Sequence, residues 1–352
     1  MSLSKVDWKN INFPLTLAPM VGISHIALRE LLRFYLPSEA LTLWPTEMLN
    51  SRKVPKENLE TTPETKRLEV ENYLVPQILG NEEKPIFESI QKLKAWGAQG
   101  IDINMGCPVQ KALKHNYGVA LMGDKKYASD VVKMAVQSSD LPVSVKLRAV
   151  ESANSLDDLY SFVTALVDGG ASWICLHPRT AEQKRRGSAD WEQIEFLKQK
   201  MTVPIVGNGD IQTAEDVFIM KEQTGCDLVM SGRALAARPW MLWQVGESLG
   251  MKPAENSLIG SRAKAPRSRE EEGHEYGKCL LILIDLCVKY FGENLAQRKI
   301  SFYIKTTSPW LEFGHTLVSL SAKAKTIAEL KTSINVFFAI PQVMYPKTEL
   351  RQ

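Results

Sequence analysis

The sequence predicts an α/β protein, a (β/α)8 TIM barrel followed by a small C-terminal all-α helical bundle. Eight short runs rich in Val, Ile and Leu alternate with segments of helical period over about the first 240 residues, the pattern of parallel βαβ units. The first run leads into "PMVGISH" instead of a glycine-rich dinucleotide turn, which favours a closed barrel over an open doubly wound sheet. Beyond a polar linker the periodicity is helical throughout, with no strand signal.

In chain order, the strands are "LTLAPM" (residues 15–20), "ALTLWPTEML" (40–49), "YLVPQILG" (73–80), "GIDINMG" (100–106), "LPVSVKLR" (141–148), "SWICLHPRT" (172–180), "VPIVGNGDI" (203–211) and "CDLVMSGRA" (226–234). Amphipathic segments such as "SHIALRELLRFY", "KPIFESIQKLKAWG" and "LDDLYSFVTALVDGG" separate them. Residues 1–250 form the barrel in this reading, 251–268 the linker and 269–345 the bundle, whose helices are read at 271–292, 295–307 and 326–340.

Composition is that of an ordinary globular chain, 44% hydrophobic and 24% charged over 352 residues. There is no apolar run of membrane-spanning length and no signal-peptide core, so cytoplasmic residence is expected. The five cysteines are scattered with no CxxC pair, which argues against a zinc site or a disulfide framework. The net charge is +3, yet residues 262–352 carry 14 Lys and Arg against 9 Asp and Glu. A C-terminal basic excess points weakly to a polyanion.

The active site of such a barrel is built where its strands end, and here nearly every strand ends in polar groups: Glu47, Gln77, Asn104 with Cys107, Lys146 with Arg148, His177 with Arg179, Asn208 with Asp210, and Arg233. Fully covered strands do not carry so many polar groups without a ligand, since each left unpaired costs several kcal/mol. "GNGD" and "SGR" close the seventh and eighth strands, the usual place for a phosphate, with Arg233 as a charge-assisted fork. Gln77 suits the amide edge of a heterocycle, and Lys146 and His177 suit negative charge on a ring. Together these groups match a flavin mononucleotide, FMN.

The motifs "LAPM", "PQILG", "DINMGCP" with "GVALM", "VKLR", "HPRTAEQ", "GNGDI" and "GRALAARPW" resemble, in that order, those of the tRNA-dihydrouridine synthases. The resemblance is strong over residues 15–240 and looser in "QRKISFYIK". It implies FMN-dependent reduction of tRNA uridine to 5,6-dihydrouridine, with NADPH as reductant. It also implies a flavin pocket of Pro19, Met20, Gln77, Lys146, His177, Asn208, Gly209, Asp210, Gly232 and Arg233. Cys107 would then be the catalytic proton donor to C5, with Asn104 and Lys146 beside it. Pro178 and Ala234 stand where the family often has glycine.

The chemistry explains the thiol. Hydride addition to C6 of a uracil leaves negative charge over C5 and O4, and C5 then needs a proton. A thiol, with an ordinary pKa near ~8.5, is protonated at neutral pH and still acidic enough to give it up. A uridine in folded tRNA must also be flipped out of its stack, and phosphate contacts must offset that cost. Arg179, Lys184, Arg185, Arg186, Arg298, Lys299 and Lys305 are the expected RNA contacts, with Tyr303 as a stacking or packing residue. No metal and no protein partner is expected. Two other readings fit the same residues: a flavoprotein acting on a free pyrimidine or another small molecule, and a tRNA-binding flavoprotein without turnover.

Overall fold

The computed structural model describes residues 5–150, 155–184, 186–253 and 264–349. Eight parallel strands, β1 (Leu15–Leu17), β2 (Trp44–Asn50), β3 (Leu74–Leu79), β4 (Ile101–Met105), β5 (Val143–Arg148), β6 (Trp173–His177), β7 (Ile205–Asn208) and β8 (Leu228–Ser231), form one sheet in the order 1-8-7-6-5-4-3-2. Around them lie α1 (Ile26–Arg33), α2 (Glu83–Trp96), α3 (Gln110–Lys114), α4 (Lys125–Gln137), α5 (Ser155–Asp168), α6 (Glu192–Lys200), α7 (Ala214–Thr224), α8 (Arg233–Ala237) and α9 (Met241–Ser248). This is the TIM barrel expected from the alternation. Between β2 and β3 only a 3-10 turn, Val54–Lys56, intervenes among the described residues.

Seven of the strand junctions are hydrogen-bonded ladders. The eighth, between β1 and β2, has no ladder among the described residues. It is closed by the Asn12 and Phe13 amides, which both donate to the Leu41 carbonyl just before the strands, and by two side chains: Thr42 Oγ1 donates to the Leu15 carbonyl at 2.9 Å and Thr16 Oγ1 to that of Leu43 at 2.5 Å.

After residue 263 the chain is helical. α10 (Arg269–Thr307) starts at a capping box in which Ser268 accepts from the Glu271 amide, and it bends at Gly292. It is followed by α11 (Gly314–Lys323) and α12 (Ile327–Phe338). The two helices read at 271–292 and 295–307 are the two halves of α10, which part at Gly292, where φ 71° and ψ 163° are not helical; the sequence reading had no helix at α11. The expected linker falls largely on residues 254–263, outside the described residues.

The bundle is bolted to the barrel by buried polar groups. Glu272 accepts from Arg238 Nε at 3.1 Å, Trp240 Nε1 at 3.0 Å and Gln244 Nε2 at 3.2 Å. Tyr35 Oη donates to Glu275 at 2.6 Å, and Tyr303 Oη to the Ala236 carbonyl at 2.7 Å. The tail returns over α7, where Lys347 pairs with Asp216 at 2.7 Å. No helix among the described residues is long and apolar enough to cross a membrane.

Candidate active site

Alternation along each strand sends every second side chain inward, and register sets which of them meet. Asn104 lies opposite Lys146 and Arg148 opposite His177, while Asn208 faces Met230. The carboxyl ends of β1 and β5–β8 surround a cleft of about 210 Å³. Pro19, Met20, Lys146, His177, Asn208, Gly209, Asp210, Gly232 and Arg233, all expected from the sequence, line it. Arg148, Arg179 and Ser231 line it as well. Lys146 Nζ donates to Asn208 Oδ1 at 2.9 Å, and Asn208 Nδ2 to the Met230 carbonyl at 2.8 Å, so the amide fixes the lysine's direction.

The cleft is electropositive. Enclosure holds the His177 imidazole well below its ordinary range, and Lys146, Arg148, Arg179 and Arg233 add to the effect. The ring is therefore neutral at pH 7. Asp210, the carboxylate among the lining residues, is already committed: Arg179 Nη2 donates to its oxygens at 2.6 and 2.8 Å, and the Ala189 amide at 2.6 Å. Gly209, at φ 122°, turns the chain where a Cβ would stand 2.7 Å from that of Ala189 and 3.0 Å from the His177 ring. At Gly232 a Cβ would sit 3.3 Å from Met20 Sδ and narrow the floor. Cationic and amide donors round a floor kept open by a glycine fit an anionic nucleotide.

Gln77, Asn104 and Cys107 are not in the lining of that cleft. They adjoin it: Gln77 and Asn104 are buried on β3 and β4, and Cys107 stands in the loop just after β4. Asn104 Oδ1 accepts from the amides of Gly106 at 3.1 Å and Cys107 at 2.9 Å, which turns the chain sharply at the strand end. Its Nδ2 donates to Gln77 Oε1 at 2.7 Å, and Gln77 Nε2 to Asp102 at 2.6 Å. Burial pushes the Asp102 carboxyl up, while bonds from Ser144 and Gln77 and the charge of Lys146 pull it back. Cys107 is half-buried among Met48, Leu79, Ala112 and Tyr117, whereas the other four cysteines are buried. The loop closes on itself at Gly118, where a Cβ would stand 2.6 Å from the Cys107 carbonyl oxygen.

Arg148, given no role in the sequence reading, braces this loop. Its Nε donates to the Gly106 carbonyl at 2.8 Å, and Nη1 to those of Thr180 at 3.2 Å and Lys184 at 3.0 Å. It thereby ties the cysteine loop to the loop after β6. The signal was its place two residues after Lys146 on one strand face.

Three expected RNA contacts are turned inward. Lys299 is 9% exposed; its Nζ lies 3.5 Å from Glu47 Oε1 and 4.8 Å from the centre of the Phe291 ring. Tyr303 is 2% exposed and spends its hydroxyl on Ala236. Arg179 is 6% exposed and holds Asp210 and the Gly187 carbonyl. All three brace the protein itself. Lys184, Arg186, Arg298 and Lys305 are exposed, and Arg185 lies outside the described residues.

A parallel barrel with a cationic cleft at its strand ends and a thiol in the adjoining loop is the scaffold of a (β/α)8-barrel enzyme. The dihydrouridine synthase family model matches residues 16–272. A probable tRNA-dihydrouridine synthase 1 of Synechocystis sp. is 34% identical over 255 residues, covering 72% of this chain and 68% of that protein. A probable tRNA-dihydrouridine synthase of Mycobacterium tuberculosis is 32% identical over 332 residues, covering 90% and 80%. The tRNA-dihydrouridine synthase B of Shewanella oneidensis is 28% identical, covering 82% and 86%. The chain belongs to the dihydrouridine synthase family.

Proposed function

We propose that this protein reduces uridines of tRNA to 5,6-dihydrouridine, with FMN in the barrel mouth and NADPH as the source of electrons. The observation that carries the proposal is the pairing of the cationic cleft around Lys146, His177 and Arg233 with the half-buried Cys107 in the adjoining loop. FMN bound there would supply hydride to C6 of the uracil. The residues left to hold it are Pro19, Met20, Lys146, His177, Asn208, Gly209, Gly232 and Arg233 in the cleft, with the Gln77 amide beside it. Asp210 supports this set indirectly, through Arg179 and the Ala189 amide.

The protein's own residues supply the rest. Cys107 holds the proton that C5 receives, and Asn104 sets the loop's direction through two backbone amides. Lys146, fixed by Asn208, offers positive charge to the oxygen on which negative charge collects. Neutral His177 serves as a hydrogen-bonding group there. The exposed Arg298 and Lys305, with Lys184 and Arg186 beside the barrel mouth, offer charge to tRNA phosphates.

The test is made in a strain lacking its own dihydrouridine synthases, with dihydrouridine mapped in its tRNA. The wild-type chain should restore the modification and purify with flavin absorbance. Cys107→Ala should lower the rate roughly 10²- to 10⁴-fold while keeping flavin and tRNA binding. Full modification by Cys107→Ala, or reduction of free uracil as fast as of tRNA, would overturn the reading.

A further inference from the structure

The last turns of α10 present a stripe to solvent: Arg298, Phe302 and Lys305, at positions i, i+4 and i+7. Their neighbours Lys299, Ile300, Tyr303 and Ile304 are buried, so the stripe is the face the bundle turns away from its core. Phe302 is 48% exposed, and one edge of its ring rests on the loop after β1. A Cβ on Gly22 would stand 2.9 Å from its Cε1 and 3.1 Å from its Cδ1.

That loop is itself anchored. The Gly22 amide donates to Glu47 Oε2 at 2.8 Å, and Gly22 holds φ at 78°, a conformation that disfavours any other residue. Two residues earlier, Met20 lines the cleft. Val21, between them, is 58% exposed. A half-exposed aromatic ring therefore stands at the rim of the barrel mouth, braced along one edge by backbone and flanked by two exposed cations on its own helix.

An apolar protein partner would have to desolvate those cations, whereas a polyanion bearing flat bases would use both. Aromatic rings interleaved with cations hold single-stranded nucleic acid by stacking bases and pairing phosphates. Extruding one base from a stack also leaves its neighbour's face uncovered, a cost that a ring at the rim can offset.

We propose that Phe302 is the stacking platform for a tRNA base beside the uridine that enters the cleft, with Arg298 and Lys305 holding the phosphates around it. This rests on the tRNA reading above. It gives the stacking role that the sequence left open for Tyr303 to the residue preceding it.

The whole protein, with an unmodified tRNA transcript, tests this through Phe302→Ala, Phe302→Leu and Phe302→Tyr. The readouts are the filter-binding Kd at fixed salt, KM and kcat for dihydrouridine formation, melting temperature and bound flavin. Phe302→Ala and Phe302→Leu should raise Kd and KM roughly 5- to 100-fold, with kcat, melting temperature and flavin content close to wild type. Phe302→Tyr should bind like wild type. Wild-type binding by Phe302→Leu would overturn the proposal, because apolar bulk would then suffice. So would a parallel loss of melting temperature or flavin, which would make the ring a packing wedge against Gly22. Wild-type protein that binds tRNA but leaves it unreduced would sink the enzymatic reading instead, and the Kd series would still decide the role of Phe302.

Discussion

Replacing Lys299 by methionine keeps the length of the side chain and removes its charge. In the native protein Nζ lies 3.5 Å from Glu47 Oε1, with 10% of the lysine side chain and 2% of the glutamate side chain exposed. Burial pushes the Glu47 carboxyl up from the usual carboxylate range; Lys299 and the Gly22 amide pull it back. Removing one partner of a buried pair costs about 3–5 kcal/mol, because the other charge is left uncompensated. For 352 residues the unfolding entropy is about 0.74 kcal/mol/K, so the melting temperature should fall by roughly 4–7 °C.

The loss has a pH signature. A carboxyl whose folded pKa lies above its unfolded value binds more protons folded than unfolded. Its contribution therefore diminishes as pH rises from the ordinary carboxylate value through the folded pKa. Lys299→Met removes the cation that pulls the value down, so its melting temperature should fall more steeply than that of the wild type as pH rises above the ordinary carboxylate range. The Glu47→Met/Lys299→Met double variant should recover most of the loss. The assay is thermal melting across that rise in pH, run beside the salt dependence of tRNA binding. Lys299→Met should leave the salt slope alone, whereas Arg298→Ala should reduce it by about one phosphate contact with melting unchanged. If Lys299→Met melts like wild type and loses a unit of salt slope, Lys299 is a surface cation and the buried-pair argument is wrong.

Two further outcomes follow from the site. Arg148→Ala frees the carbonyls of Gly106, Thr180 and Lys184 and lets the cysteine loop drift; kcat should fall roughly 10²-fold, the scale of a 1 Å misplacement, while KM for tRNA and flavin content hold. An unchanged kcat would remove Arg148 from the positioning network. His25 and His177 both titrate well below 6.5 through burial and neighbouring cations. Both are neutral when folded, and the unfolded chain takes up protons first as pH drops. Stability from these two residues should be intact above pH 6.5 and decline below it, by up to about 1.4 kcal/mol per pH unit for each. Denaturant unfolding between pH 7.5 and 5 measures this. His25→Asn, which keeps a capping side chain at the start of α1, should flatten the decline; an unaltered slope would mean His25 is not the group titrating.

The strands were legible because a sheet covered on both faces writes its signal as Val, Ile and Leu. The cleft was legible because polar groups at the ends of such strands contradict that signal. α11 left little trace. Its buried residues are Gly314, where a Cβ would collide with the Ser308 carbonyl oxygen, Leu317 and Ser321, and one apolar side chain between two small residues makes no hydrophobic period. Of the two roles open to Tyr303, stacking or packing, its burial leaves packing, and the exposed ring is Phe302, one residue earlier. Neighbouring residues on a helix point about 100° apart, and which one faces water depends on how the bundle docks. Lys299 and Arg179 misled for the opposite reason. Their carboxylate partners, Glu47 and Asp210, lie on other elements, so nothing nearby in sequence marks these cations as interior.

The junction between β1 and β2 gives the bundle a second task. Glu47, midway along β2, takes the amide of Gly22 from the loop after β1 and faces Lys299 on α10. The pair of staves that lacks a ladder among the described residues is thus pinned just past the end of β1 by a hoop that the C-terminal helix tightens from outside. A barrel parted from that helix would keep all eight strands yet loosen at this seam, next to Met20 and the mouth, so the element expected to grip RNA also holds the vessel shut.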